Sequence, residues 1–225
     1  MKNILIGVDL GGTNIKTAAV SRDGDVLGKD SRPTQAELGL EGVLENINTS
    51  VNAVLEGANL TLDNVLAAGV GAPGPMNWQT GVVFSPPNLP GWKNVPLADL
   101  LKEKWGIPCF VDNDANVACY GEFWLGAGKG IESMVLLTLG TGVGGEIVVL
   151  NQLLRGPDGT AAEIGHLCVC RDGRECNCGA RGCLETYASV TGMVRTAVEG
   201  IHNGAKTLLI ERCNQDLNRL TGKMI

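Results

Sequence analysis

His166, Cys176, Cys178 and Cys183 fall within one short, turn-rich stretch of the chain. Three thiolates and an imidazole are the donor set of a tetrahedral structural zinc site. The Cys-x-Cys-x4-Cys spacing is tighter than that of a finger, and Gly173, Gly179 and Gly182 supply the backbone freedom such loops need. The competing reading is a cluster of reduced, buried cysteines. Cys168 and Cys170 alternate with His166 along HLCVC, so a strand there puts all three on one face, and both are expected as core cysteines.

DLGGTNIK combines a carboxylate (Asp9), two flexible residues (Gly11, Gly12), a hydroxyl (Thr13) and a cation (Lys16). Such a turn can offer backbone amides to phosphate while Asp9 holds a magnesium ion. A plain hairpin turn remains the alternative. LGTGVGG, with Gly140, Thr141 and Gly142, repeats the pattern without an acid, and two such turns favour phosphate binding. VDNDAN sets Asp112, Asn113 and Asp114 between a strand end and a helix start. One of these is expected to cap the helix, while one carboxylate can take a proton from a hydroxyl. Glu163, His166 and Glu185 add polar groups near the cysteine loop, and NLPGW offers Trp92 as an aromatic wall. Surface charge and core packing are the plainer readings of those residues.

The elements that must position these groups follow from periodicity. ILIGVDL, the segment from Ile15 to Val20, and Val26 to Lys29 read as a meander of strands. A Walker loop or dinucleotide fingerprint needs a helix directly after the glycines, so both are excluded. Apolar residues at Leu40, Val43, Leu44, Ile47, Val51, Val54 and Leu55 predict an amphipathic helix. VLAAGVGAPG reads as a buried strand, Pro96 to Trp105 as a helix, CFVD as a strand, and Asp114 to Leu125 as a helix. MVLLTLG, TGVGG and EIVVL echo the opening strand, turn and strand, which suggests a duplicated unit. A boundary near Gly121 then divides the chain into domains 1–120 and 121–225. Helices are expected from Val190 to His202 and from Asn214 to the end.

Composition limits the partners. The chain has 225 residues, 44% of them hydrophobic, and a net charge of -6, which argues against nucleic acid or an anionic membrane surface. The N-terminus lacks a signal-peptide core, and the longest uncharged run is too interrupted by glycine to span a membrane. A cytoplasmic setting is therefore expected, with the eight cysteines reduced.

In order, DLGGTNIK, GAPGP, NLPGW, DNDAN, LGTGVGG and AEIGHLCVCRDGRECNCGARGCLE closely resemble the ROK family of sugar kinases and repressors, and within it the bacterial glucokinases. The resemblance covers essentially the whole chain. It implies an α/β, actin-like ATPase (ribonuclease H-like) fold of two domains closing on ATP and sugar, the second domain incomplete because the family continues further. The implied reaction is phosphorylation of a hexose, glucose first, with ATP and Mg2+ and a structural Zn2+. Asp114 is then the catalytic base, and Gly74, Asn88, Asn113, Glu163, His166 and Glu185 are sugar ligands. Asp9, Gly11, Gly12, Thr13, Lys16, Gly140, Thr141 and Gly142 form the phosphate loops, and His166 shares its ring nitrogens between zinc and sugar. Small-molecule partners only, and a homodimer in the full-length form, are further implications. A kinase for mannose, fructose or N-acetylmannosamine, a sugar-sensing regulator and a catalytically silent sugar binder are the alternatives. Ala162 departs from the family, which has glycine there.

Overall fold

The computed structural model describes residues 2–157 and 159–225. The elements run β1 (Ile4–Leu10), β2 (Asn14–Ser21), β3 (Val26–Pro33), α1 (Gly39–Gly57), β4 (Val65–Ala72), β5 (Met76–Asn77), β6 (Val82–Val83), β7 (Val95–Pro96), α2 (Leu97–Trp105), β8 (Cys109–Asn113) and α3 (Asp114–Trp124). They continue as β9 (Met134–Leu139), β10 (Val143–Val149), β11 (Gln152–Leu153), α4 (Glu185–Ala188), α5 (Val190–His202) and α6 (Leu209–Arg212). The chain divides into two compact units, 1–132 with Arg155–Gly159 and Ser133–Leu154 with Thr160–Ile225. The expected boundary at Gly121 falls inside α3, so the passage lies eleven residues later, and a five-residue strap returns to the first unit.

In the first unit a five-stranded sheet has the order β3-β2-β1-β4-β8. The glycine turns make β1, β2 and β3 antiparallel, whereas β4 and β8 return parallel through α1 and α2, as βαβ crossovers require. Alternation in β1 buries Ile4, Ile6, Val8 and Leu10 in a core with Val43, Ile47, Val51 and Val54 of α1. Each such side chain is worth roughly 1.5–3 kcal/mol relative to exposure. The opposite face is lined by Leu5, Val20, Ala67, Phe110, Tyr120 and Trp124 and opens as a groove of about 1270 Å³.

The second unit carries a three-stranded sheet in the order β11-β10-β9, the same succession of first, second and third strand as β1 to β3. The turn is shorter than expected, since β10 already starts at Val143. No continuous helix follows Asn214. Asn214 and Gln215 have φ of 54° and 62°, the left-handed region a helix cannot pass through, and only a single 3-10 turn, Leu217–Arg219, comes after.

Candidate functional site

In the first unit, Asp9 and Lys16 face each other across β1 and β2, with Nζ 3.5 Å from Oδ2, an exposed pair of little energetic weight. Between them the Gly11–Thr13 turn is held from outside. The Gly11 N–H donates to the Asn14 carbonyl at 3.0 Å, and buried Thr34 donates its hydroxyl to the Gly11 carbonyl at 2.6 Å and its N–H to that of Thr13 at 2.8 Å. Thr34 escaped sequence reasoning because its contacts span the whole meander. A Cβ on Gly12 would stand 2.6 Å from Cβ of Asn88, so this glycine is required by close approach of the NLPGW segment. Gly74 has φ 84° and its missing Cβ would meet Pro86 at 2.9 Å. The structure thus brings together Asn88 and the Gly11–Thr13 turn. Trp92 is buried, so it packs the core instead of forming a sugar wall.

At the end of β8 three polar residues separate into three roles. Asn113 caps α3, accepting from the N–H groups of Ala115 at 2.9 Å and Asn116 at 3.4 Å. Asp112 is saturated: Oδ1 accepts from Asn113 N–H and Asn116 Nδ2, while Oδ2 accepts from Arg155 Nε at 2.8 Å. Asp114 is exposed, and among the described residues its carboxylate is met only by the N–H of Ala115. It alone of the two carboxylates keeps lone pairs free for a proton.

In the second unit the Gly140–Gly142 turn closes with Gly140 N–H donating to the Gly142 carbonyl at 3.0 Å and is tied to the start of α5. Val190 N–H donates to the Gly140 carbonyl at 2.9 Å and the Thr191 hydroxyl to that of Thr141 at 3.0 Å. Glu185 Oε2 accepts from Val143 N–H at 3.0 Å, and a Cβ on Gly142 would collide with that oxygen. One carboxylate oxygen of this expected sugar ligand is therefore spent on the turn. Glu163 is exposed, directly ahead of the 3-10 turn Ile164–His166. Ala162 before it has φ 66°.

His166, Cys176, Cys178 and Cys183 converge, their ligand atoms all within 4.8 Å of one another. His166 Nδ1 lies 3.6 Å from Cys176 Sγ, and the Cys178 and Cys183 sulfurs are 3.7 Å apart. Zinc bonds of about 2.3 Å to sulfur and about 2.05 Å to nitrogen, at tetrahedral angles, place two sulfurs about 3.8 Å apart and nitrogen and sulfur about 3.6 Å apart. The donor set and these two separations fit zinc. Burial, with the neighbouring cysteines, pushes the Cys183 thiol up to about 12, whereas the Ala180 backbone hydrogen bond, then Cys176, holds that of Cys178 below its ordinary value. Cys168 and Cys170 are exposed, not core cysteines, because no strand forms there and Cys168 only bridges Cys183.

Arg174, unremarked in the sequence, secures the cysteine loop. It lies over the Tyr187 ring at 4.7 Å, donates to the Thr186 and Gly192 carbonyls and pairs with Glu199 at 2.6 Å. Its spacing from these partners carries no local periodicity that would have revealed it.

The ROK family signature matches residues 5–220. A glucokinase from Halalkalibacterium halodurans is 44% identical over 197 residues, 87% of this chain and 59% of that protein. A ROK hexokinase from Thermus thermophilus superposes with a TM-score of 0.78 at 36% identity, covering 94% of this chain and 69% of that one. A ROK family glucokinase from Streptomyces griseus, solved in complex with glucose and AMPPNP, gives 0.67 at 36% identity, covering 98% and 69%. Xylose repressors are more distant, at 30% identity. The chain spans about three fifths of the length of the curated glucokinases it matches.

Proposed function

The chain belongs to the ROK family, and we propose that it acts in ATP-dependent phosphorylation of a hexose, glucose first. The observation that carries this reading is the division of labour at β8 and α3. Asp112 is consumed by four donors and the Oδ1 of Asn113 by the helix cap, which leaves the exposed Asp114 carboxylate as the base and the Asn113 side-chain NH2 for the sugar. Asp114 takes the proton of the sugar hydroxyl as its oxygen attacks the γ-phosphorus and the bond to the ADP oxygen breaks. Asn88, Asn113, the backbone at Gly74, Glu163, His166 and the free oxygen of Glu185 are the sugar ligands in this reading. Asp9 and Lys16, with the Gly11–Thr13 and Gly140–Gly142 turns, serve the phosphates.

Asp9 would hold magnesium, which when bound neutralises phosphate charge. His166, Cys176, Cys178 and Cys183 would hold a structural zinc that fixes their loop. With Nδ1 on the metal side, the His166 ring keeps Nε2 for a sugar hydroxyl. The more distant xylose repressors support a second reading, sugar binding without transfer.

Glucose titration by calorimetry, followed by ADP release with glucose, Mg2+ and ATP, separates the two. Asp114→Asn is expected to lower turnover by about a hundredfold or more while changing glucose affinity little. Turnover that survives Asp114→Asn rules out this base, and glucose binding with no ADP release by the wild-type chain favours the sugar binder.

A further inference from the structure

Although it lies between Ser133 and Ile225 in the chain, the strap Arg155–Gly159 belongs to the first unit. Its anchor is Arg155, whose Nε and Nη2 both reach Asp112 Oδ2, at 2.8 and 2.7 Å. The two side chains are only 27% and 16% exposed, so the pair is less screened than a surface ion pair. The guanidinium also lies 4.6 Å over the ring of Trp78, a cation–π arrangement that a lysine cannot match with the same planar fork. Further along, Pro157 lines a small pocket with Met76, Trp78 and Phe84, and Gly159 faces Trp78 as well.

Asp112 is the point where two demands meet. Its Oδ1 holds Asn113 N–H and Asn116 Nδ2, and so orients the start of α3 that presents Asp114. Its Oδ2 holds Arg155, eight positions before Glu163 and eleven before His166. One carboxylate therefore serves both the base-bearing helix and the departure point of the segment that carries two proposed sugar ligands.

We propose that Arg155 is a positioning residue: paired with Asp112 and stacked on Trp78, it fixes the strap from which the Glu163 and His166 segment departs, and so sets sugar affinity without touching sugar. The sugar part of this rests on the function proposed above. The strap part does not.

The test compares the wild-type chain with Arg155→Ala and Arg155→Lys, by amide exchange in the peptide covering 155–163 without sugar and by calorimetry with glucose. Arg155→Ala is expected to speed exchange there about tenfold, with β1 and β10 unchanged, and to weaken glucose binding about tenfold. Arg155→Lys, which keeps the charge but loses the fork, falls between. Both substitutions leave the Asp112 contacts to α3 in place, so a misfolded α3 does not confuse the result as it would in Asp112→Asn. Unchanged exchange overturns the anchor. Faster exchange with unchanged glucose affinity overturns the positioning role, and weaker glucose binding with unchanged exchange makes Arg155 a direct sugar contact instead. A wild-type chain that binds no glucose overturns the sugar role and the proposed function together, and the sugar-free exchange still decides the anchor.

Discussion

At the scale of single residues, the departure noticed at Ala162 becomes a physical one. Its φ of 66° lies in the left-handed region, where a Cβ crowds the following carbonyl at a cost of roughly 1–2 kcal/mol. Glycine removes that crowding but brings more freedom to the unfolded chain, so the two effects oppose each other. Steric relief is the larger, and Ala162→Gly is expected to raise stability by about 0.5–1 kcal/mol in urea unfolding, with the slope unchanged. A loss of stability would mean that Ala162 relaxes to another conformation in solution. Because the residue adjoins Glu163, the same variant also reports whether this strain shapes the proposed sugar-binding segment. Here a motif mismatch in the sequence already pointed at the strained position. At Asp112 the sequence was less telling, since three adjacent polar residues in DNDAN are indistinguishable until Arg155 claims one of them from forty-three residues away.

At the scale of elements, the hairpins and the amphipathic α1 were readable because their signals are local: alternation in β1, three-and-four spacing in α1, glycines at the turns. The strap and the fastening of the cysteine loop were not, because Arg155 on Trp78 and Arg174 on Glu199 join segments with no common period. The same contrast governs the segment from Ile164 to Glu185. It has little regular structure of its own: one 3-10 turn, two isolated bridges and the Arg174 contacts. Four clustered ligand atoms are then its main source of order when zinc is bound. Chelation, or Cys178→Ser, is expected to speed amide exchange across 164–185 by tenfold or more while β1 to β4 keep their protection. Zinc content read by atomic emission should fall from about one per chain toward zero. Glucose affinity should fall with it, since His166 is proposed for both sets. Exchange that does not respond to chelation would show that Arg174 and the bridges suffice, and would remove the metal from the account of the loop.

At the scale of the whole chain, each unit carries sheet surface that its own elements leave uncovered. In the first, α1 and α2 bury one face of the sheet, while the other holds Phe110 at 66% exposure beside Tyr120 and Trp124 along a groove of about 1270 Å³. In the second, β9 ends the three-stranded sheet, its Val135, Leu137 and Leu139 side chains exposed and its outer backbone edge unpaired among the described residues. Contiguous apolar surface of this extent and an open strand edge are both adhesive in water. The chain by itself is therefore expected to bind the dye ANS at neutral pH and to sediment as larger species as its concentration rises. Because apolar contact drives this association, added sulfate should strengthen it, whereas an association of the acidic surface would respond to screening instead. Phe110→Ser removes the most exposed aromatic ring of the first face without touching the packed side of β8, where Cys109 and Val111 point into the core. That single change is expected to lower the ANS signal by about a third or more and leave the unfolding free energy within about 0.5 kcal/mol of wild type. ANS binding that accompanies a lost near-ultraviolet dichroism signal would have another meaning, a loosened core in place of a folded chain with an open face. No ANS binding by the well-folded chain would show that these faces are covered in solution, by a second copy if sedimentation gives a discrete dimer at all concentrations.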